Sequence, residues 1–151
     1  MTKLAFVKVD TDYISNCKFI VEEINSGVMD WLEDSGVLLQ DRIAANTRKE
    51  TGETAASWKH ETKRESDNVA VCEVKSSHPN ASFEEFGTGL YAEEGHYPDF
   101  KGKIPWVYKD RDGNFHRTEG KMAQHPAQRA VDACAPIIAE NARRYLKKYV
   151  L

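Results

Sequence analysis

Cysteine is scarce, and no cysteine pairing pattern is present. Cys17, Cys72 and Cys134 are odd in number, far apart and set within apolar-periodic stretches. That excludes a disulfide framework and a CxxC metal knuckle, and predicts reduced, buried thiols. Long apolar runs are also missing: none approaches the roughly 20 residues needed to span a bilayer. The opening "MTKLAFVKVDTDY" is broken by charge too early for a signal-peptide h-region, so the expected location is the cytosol. Neither GxGxxG nor GxxxxGK[ST] occurs, and no GxSxG elbow is found. The five histidines (His60, His78, His96, His116, His125) show no HxxxH or HxH spacing, so a metal site would need distant loops, His96 and His125 being the least improbable ligands. Neither metal nor cofactor is expected.

Charge of one sign is lacking overall but not locally. The net charge of -3 gives no overall pull toward nucleic acid. Residues 1 to 100, however, hold 10 Lys+Arg against 19 Asp+Glu, a net of -9, whereas residues 101 to 151 hold 11 against 5, a net of +6. The simpler account is that the two parts neutralise each other within one fold. The sharper one is that an acidic face of one copy meets a basic face of the next. The 151 residues, 40% of them hydrophobic, suffice for one domain, residues 1 to 151, with a core of its own.

"KLAFVKV" (3 to 9) is a short strand candidate. From Tyr13 the period changes: Ile14, Cys17, Val21, Ile24, Val28, Trp31 and Leu32, then Leu39, Ile43 and Thr47, recur at three- and four-residue steps. This is the apolar stripe of an amphipathic helix over 13 to 50, or of two helices joined at Ser35-Gly36. Gly52 reads as a helix C-terminal stop. Trp58, His60, Thr62 and Arg64 then share one strand face, and "VAVCEVK" (69 to 75) returns as the second strand of a hairpin. "ASFEEF" reads as a further strand after the "SSHPN" corner. Residues 87 to 103 form a long loop without periodicity, and "IPWVYKDRDGNFHRT" is a second hairpin around Asp112-Gly113. A final helix puts Ala127, Ala130, Val131, Cys134, Ile138, Ala142, Tyr145 and Tyr149 on one face, with Pro126 in its first turn. Arg143, Arg144, Lys147 and Lys148 favour its C-terminal dipole end, and Pro136 is expected to kink it near Ala133 or split it. The pattern predicts an α+β domain: a small antiparallel sheet of hairpins packed against a long N-terminal helix, or two, and a C-terminal helix.

Several stretches could carry chemistry, and each has a plainer use. Glu84-Glu85 cannot converge on one substrate atom if they are strand neighbours, because such neighbours point to opposite faces; one then faces solvent while the other caps or pairs locally. "GTG" at 87 to 89 could cradle phosphate, but no helix pattern follows it, and a tight turn with positive φ is the better use. "WVYKDRDGNFHR" has the look of a basic-aromatic platform for single-stranded nucleic acid, although a hairpin with one aromatic face on the core explains it equally well and is preferred.

Three segments taken in order say more. "TGETAASW" after a long helix, "ASFEEFGTG" after a hairpin, and "GKMAQHPAQRAV" leading into a C-terminal helix resemble the tail-completion or head-tail joining family of long-tailed bacteriophages and their prophages. Members of that family look like "TG.L..S", then "EFGT", then "G....PF..PA". The resemblance spans roughly residues 13 to 149, and Glu85-Phe86-Gly87-Thr88 is its most specific piece. It makes Gly52, Trp58, Glu85, Phe86, Gly87, Thr88 and Pro126 structural motif residues: Glu85 and Phe86 end a strand, Phe86 packs inward, and Gly87 and Gly89 turn the backbone. The implied role is virion assembly, in the host cytoplasm and then at the head-tail junction or tail of the particle, with no catalysis and no cofactor. The implied partners are other connector or tail proteins and further copies of the chain in a ring, with no membrane and no sequence-specific nucleic acid. Tyr91, His96, Tyr97 and Phe100, together with Arg143, Arg144, Lys147 and Lys148, are the expected contact residues. The alternative is a small nucleic-acid-binding module or an unrecognised enzyme using the 87 to 117 region.

Overall fold

The computed structural model describes residues 11 to 93 and 104 to 148. The expected strand at 3 to 9, together with His96, Tyr97, Phe100 and Tyr149, lies outside them. The described chain is α+β, in the order α1 (Thr11–Asn46), α2 (Glu53–Ala56), β1 (Trp58–Ser66), β2 (Val69–Ser76), α3 (Pro79–Phe86), β3 (Thr88–Gly89), β4 (Trp106–Lys109), β5 (Phe115–Thr118), β6 (Gly120–Lys121) and α4 (Pro126–Leu146). The strands pair as three separate antiparallel ribbons, β1 with β2, β3 with β6, and β4 with β5.

α1 is one continuous helix, so Ser35-Gly36 does not divide it. Both residues are buried, because this is where the β1–β2 hairpin crosses the helix. A Cβ on Gly36 would stand 2.5 Å from Cys72 Sγ and 2.9 Å from His60 Cδ2, so only glycine admits the hairpin this closely. The hairpin face expected from the alternation is the one applied to α1. The Gln40 side-chain oxygen accepts the His60 backbone N–H at 2.8 Å and lies 2.7 Å from its Nδ1. Further along, Arg64 donates to the Asn25 carbonyl at 3.4 Å.

α4 runs antiparallel to α1. Asn46 of α1 donates to the Pro126 carbonyl at 3.1 Å, while Trp31, some four turns earlier, donates its indole N–H to the Ile138 carbonyl at 2.9 Å. Pro126 opens α4 as expected, but α4 is not split at Pro136, whose exposed position keeps its ring toward solvent. Val131 is a correction of the expected inner face: it is exposed, as is Val21 on α1, while Ala130 and Cys134 face inward. Cys72 is half-buried and Cys134 buried, both as free thiols.

Two further assignments change. Gly52 is not the stop of α1, which ends at Asn46; with φ 82 it caps the start of α2, and its carbonyl accepts the Ala56 N–H at 2.9 Å. "ASFEEF" is helix α3 rather than a strand. Pro79 occupies its first turn, where a missing N–H costs nothing, and His78 Nδ1 accepts the Asn80 N–H at 3.2 Å. The inward positions of α3 are Ala81 and Glu84, and a glutamate on the buried face hides the apolar period that marks a helix.

The core is small. Ile43, Trp58, Ala81 and Ala130 form its centre, with Val74 and Ala127 against it. Trp58 is its one large aromatic, and its indole N–H donates at 3.1 Å to Thr47 Oγ1, which itself donates to the Ile43 carbonyl at 2.8 Å. The β4–β5 hairpin stands apart from this core, so the preferred reading of its aromatics as core-facing fails for Tyr108 and Phe115, both exposed. Its turn is held by Asp110, whose carboxylate accepts the Asn114 N–H at 2.8 Å and lies 2.7 Å from His116 Nε2. The His116 contact, then the Asn114 backbone N–H, depress the Asp110 carboxyl from its ordinary 3.8 to about 2.

Trp58→Ala should lower stability by about 3–5 kcal/mol, against less than about 0.5 kcal/mol for Tyr91→Ala on the surface; thermal melts ranking them in the other order would contradict this core. Because the depressed Asp110 pKa favours the folded turn, its contribution is complete above about pH 4 and is lost as pH falls toward about 2. An NMR pH titration should therefore show the β4–β5 turn loosening in that window, and no such loosening in Asp110→Asn.

Candidate functional site

Of the motif residues, Glu85, Phe86, Gly87, Thr88 and Pro126 lie where the end of α3 meets the start of α4, whereas Trp58 sits in the core and Gly52 caps α2. An α-helix opens with backbone N–H groups that have no partner inside the helix. In α4 the first of these is absent because the position is Pro126, and the next two, on Ala127 and Gln128, donate to Glu85 Oε2 and Oε1 at 2.8 and 3.0 Å. The Glu85 carboxylate thus closes the helix end, where the dipole favours a negative charge.

Gly87, Thr88 and Gly89 meet the same downstream segment. Gly87 has φ 73, and a Cβ there would lie 2.5 Å from the Tyr91 carbonyl oxygen and 2.9 Å from both the Lys121 carbonyl oxygen and the Ala123 nitrogen. Thr88 pairs with Lys121 across β3 and β6, and its Oγ1 accepts the Lys121 N–H at 3.0 Å. Gly89 faces Gly120 in that ribbon with backbones too close for any side chain on either. Phe86 is half-buried, and its carbonyl accepts the Glu93 N–H at 3.0 Å. The positive φ expected of the GTG turn is therefore present, at the end of a helix instead of a strand.

Glu84 does not face solvent. It is buried, with Lys121 Nζ 2.8 Å from one carboxylate oxygen and Arg48 Nε 3.5 Å from the other, and its carbonyl accepts the Gln124 N–H at 2.8 Å. Adjacent helix positions about 100° apart send Glu84 into the core edge and Glu85 to α4, so the pair still does not converge on one point. Each carboxylate is engaged by groups of its own chain. Sequence reasoning missed Glu84, Arg48 and Lys121 as a set, because ion pairs between segments this distant leave no local signal.

The "TGETAASW" segment meets the opposite end of α3, at its N-cap and the end of β2. Thr54 Oγ1 lies 3.3 Å from His78 Nδ1, and Ser57 Oγ lies 2.6 Å from Ser76 Oγ. Arg111 of the second hairpin reaches Glu53 at 2.6 Å and holds that carboxyl below its usual range. His125, with φ 50, places its ring 3.1 Å from Glu93. Residues 87 to 93 are thus pinned by hydrogen bonds to α3, β6 and one another, a latch between sequence-distant segments, and only the later part of the expected loop lies outside the described residues.

The expected contact residues do not gather with the latch. Tyr91 is exposed beside it. Arg143, paired with Glu140, lies at the far end of α4 with Arg144, Lys147 and Lys148. There a cavity of about 250 Å³ is lined by Asp34, Asn141, Arg144, Tyr145 and Lys148. The Tyr145 hydroxyl donates to Asp34 across it, which raises the phenol above its usual range. Among the described residues, no group of three or more His, Cys, Asp or Glu could hold a metal ion, and no helix is long and apolar enough to cross a membrane.

The fold and this site define an α+β domain in which the motif residues from Glu85 to Thr88, with Pro126, serve as a latch between sequence-distant segments. No protein-family model, curated protein or solved structure matches the chain.

Gly87→Ala should destabilise the fold by more than about 2 kcal/mol, since strain at positive φ adds to the backbone clash. Glu85→Ala, which leaves the Ala127 and Gln128 amides without their carboxylate, should cost about 1–3 kcal/mol. Chemical denaturation measures both, and hydrogen exchange should show the first turn of α4 opening selectively in Glu85→Ala.

Proposed function

We propose that the protein is a non-enzymatic structural component of a bacteriophage or prophage particle, acting in virion assembly at the head-tail junction or tail end. The observation that carries this reading is the latch. The "EFGT" and "GKMAQHPAQ" segments, which bear the resemblance to tail-completion and head-tail joining proteins, meet residue against residue through Glu85, Gly87 and Thr88. A motif that is spent on holding the fold fits a part shaped for assembly. The open hairpin face adds support: Val107 and Phe115 stand exposed on one face of β4–β5, an apolar surface available to a partner. On this reading the partners are connector or tail proteins and further copies of the chain, and the sites of action are the bacterial cytoplasm during assembly and then the virion.

A second reading has one observation in its favour. On the exposed β4–β5 hairpin, Tyr108 stacks on His116 at 5.3 Å, and Lys109 lies 5.6 Å from the Phe115 ring, a basic-aromatic arrangement of the kind that takes single-stranded nucleic acid.

Deleting the coding sequence from its resident phage or prophage tests the main proposal. Filled heads and tails should accumulate unjoined, and purified protein added to the lysate should restore whole particles. Normal particles from the deletion would overturn it. Tight, steeply salt-dependent binding of a single-stranded oligonucleotide would favour the second reading.

A further inference from the structure

The two faces of the β4–β5 hairpin differ. Cross-strand pairing places Val107 opposite Arg117 and Lys109 opposite Phe115, so these four side chains share one face. Trp106, Tyr108, His116 and Thr118 share the other, and Trp106 closes on Gly89 of the β3–β6 ribbon. The first face is open: Phe115 is 73% exposed and Val107 61%. Lys109 and Arg117 flank them, exposed and without an ion pair among the described residues. A two-stranded ribbon left this bare is marginal in water and gains from being covered.

The opposite chemistry occurs at the other end of the molecule. In α1, Phe19, Ile20 and Val21 follow one another, each about half exposed or more, so they point to several sides of the helix with little of the described chain packed on them. Glu22 and Glu23 come next, exposed and unpaired among the described residues, three and four residues beyond Phe19 and therefore on its face. From Lys18 to Asp34 the helix carries five carboxylates and one cation; Glu33 contacts His60, and Asp34 shares a cavity with Arg144 of α4 and Lys148 just beyond it, so Glu22 and Glu23 carry the open charge beside Phe19.

One chain cannot bring these surfaces together. The hairpin is tied by Arg111 to Glu53, just past the C-terminal end of α1. The Phe19–Glu23 end lies about 38 Å away along the same rigid helix, at 1.5 Å per residue from Val21 to Asn46. We propose that copies of the chain join head to tail, with the Val107/Phe115 face of one β4–β5 hairpin seated on the Phe19–Glu23 end of the next copy's α1. This rests on the assembly reading above and gives it a contact. Lys109 and Arg117 meet Glu22 and Glu23, and the apolar pairs exclude water between them. Because the two patches differ, each copy keeps one free surface of each kind, and the contact repeats until it closes into a ring or continues as a filament. It also uses the opposite charge of the two parts of the chain.

The test is a charge swap on the full chain, read as mass by light scattering. Wild type should form oligomers that loosen as salt rises. Lys109→Glu/Arg117→Glu and Glu22→Lys/Glu23→Lys should each run at the monomer mass of 17.1 kDa. An equimolar mixture of the two should reassemble, because each altered surface then finds its opposite on the other chain. All four residues are exposed, so the melts of both variants should match wild type. If either fails to fold, Val107→Ser/Phe115→Ser serves in its place and should also be monomeric. Wild type that stays monomeric at several hundred micromolar, or oligomers indifferent to these changes, would overturn the contact while leaving the particle experiment to judge the assembly reading separately. Retained oligomers together with loss of oligonucleotide binding in Lys109→Glu/Arg117→Glu would overturn it in favour of a nucleic-acid surface.

Discussion

The structure depends on one glutamate doing the work of a helix cap from 42 residues upstream. Pro126 begins α4 without an N–H, and Glu85 takes the two that follow, so the start of α4 and the end of α3 are fixed together. The chain between them must fold around that constraint. Gly87, Gly89 and Gly120 are glycines because the backbones of the two segments then lie against each other without room for a Cβ. Beneath the latch, Glu84 draws Arg48 and Lys121 together, joining the loop after α1 to β6. Lys121 bonds one oxygen of this buried carboxylate, while the other has the Arg48 charge at 3.5 Å but no hydrogen-bond partner among the described residues.

A second constraint lies along α1. Gly36 and the buried Gly27 and Ser35 leave little side chain on its inner surface, and the β1–β2 hairpin and α4 come close enough to bond to it directly. The result is a slender arrangement, with two long helices and a hairpin lying along one another and little volume enclosed. That geometry explains the small core and the many apolar side chains left outside. It also separates the two ends of the molecule, one holding the acidic turns of α1 beside the cationic end of α4 and the other the β4–β5 hairpin.

Much of the fold was legible because burial repeats at the period of the local structure. The α1 stripe from Ile24 to Ile43, the β1 face with Trp58 and His60, and α4 follow this rule, while the second hairpin was legible from its Asp112-Gly113 turn. Where an inward position holds something other than an apolar residue, the rule fails. Glu84 hides α3, and Gly36 looks like a break although it is a close crossing. Phe115 and Tyr108 fail the other way, since their hydrophobicity suggested a core that the hairpin never reaches.

The sequence by itself determined the class of fold and the order of most elements. Periodicity and turn chemistry are local, and they act wherever the chain goes. Only the tertiary structure decided what the latch residues hold. It showed that Glu85 serves α4, that Glu84 is buried between two cations, and that the apolar face of the β4–β5 hairpin is left open. Those outcomes depend on which distant segments meet, and contact between segments tens of residues apart is set by packing in three dimensions, which no local pattern encodes.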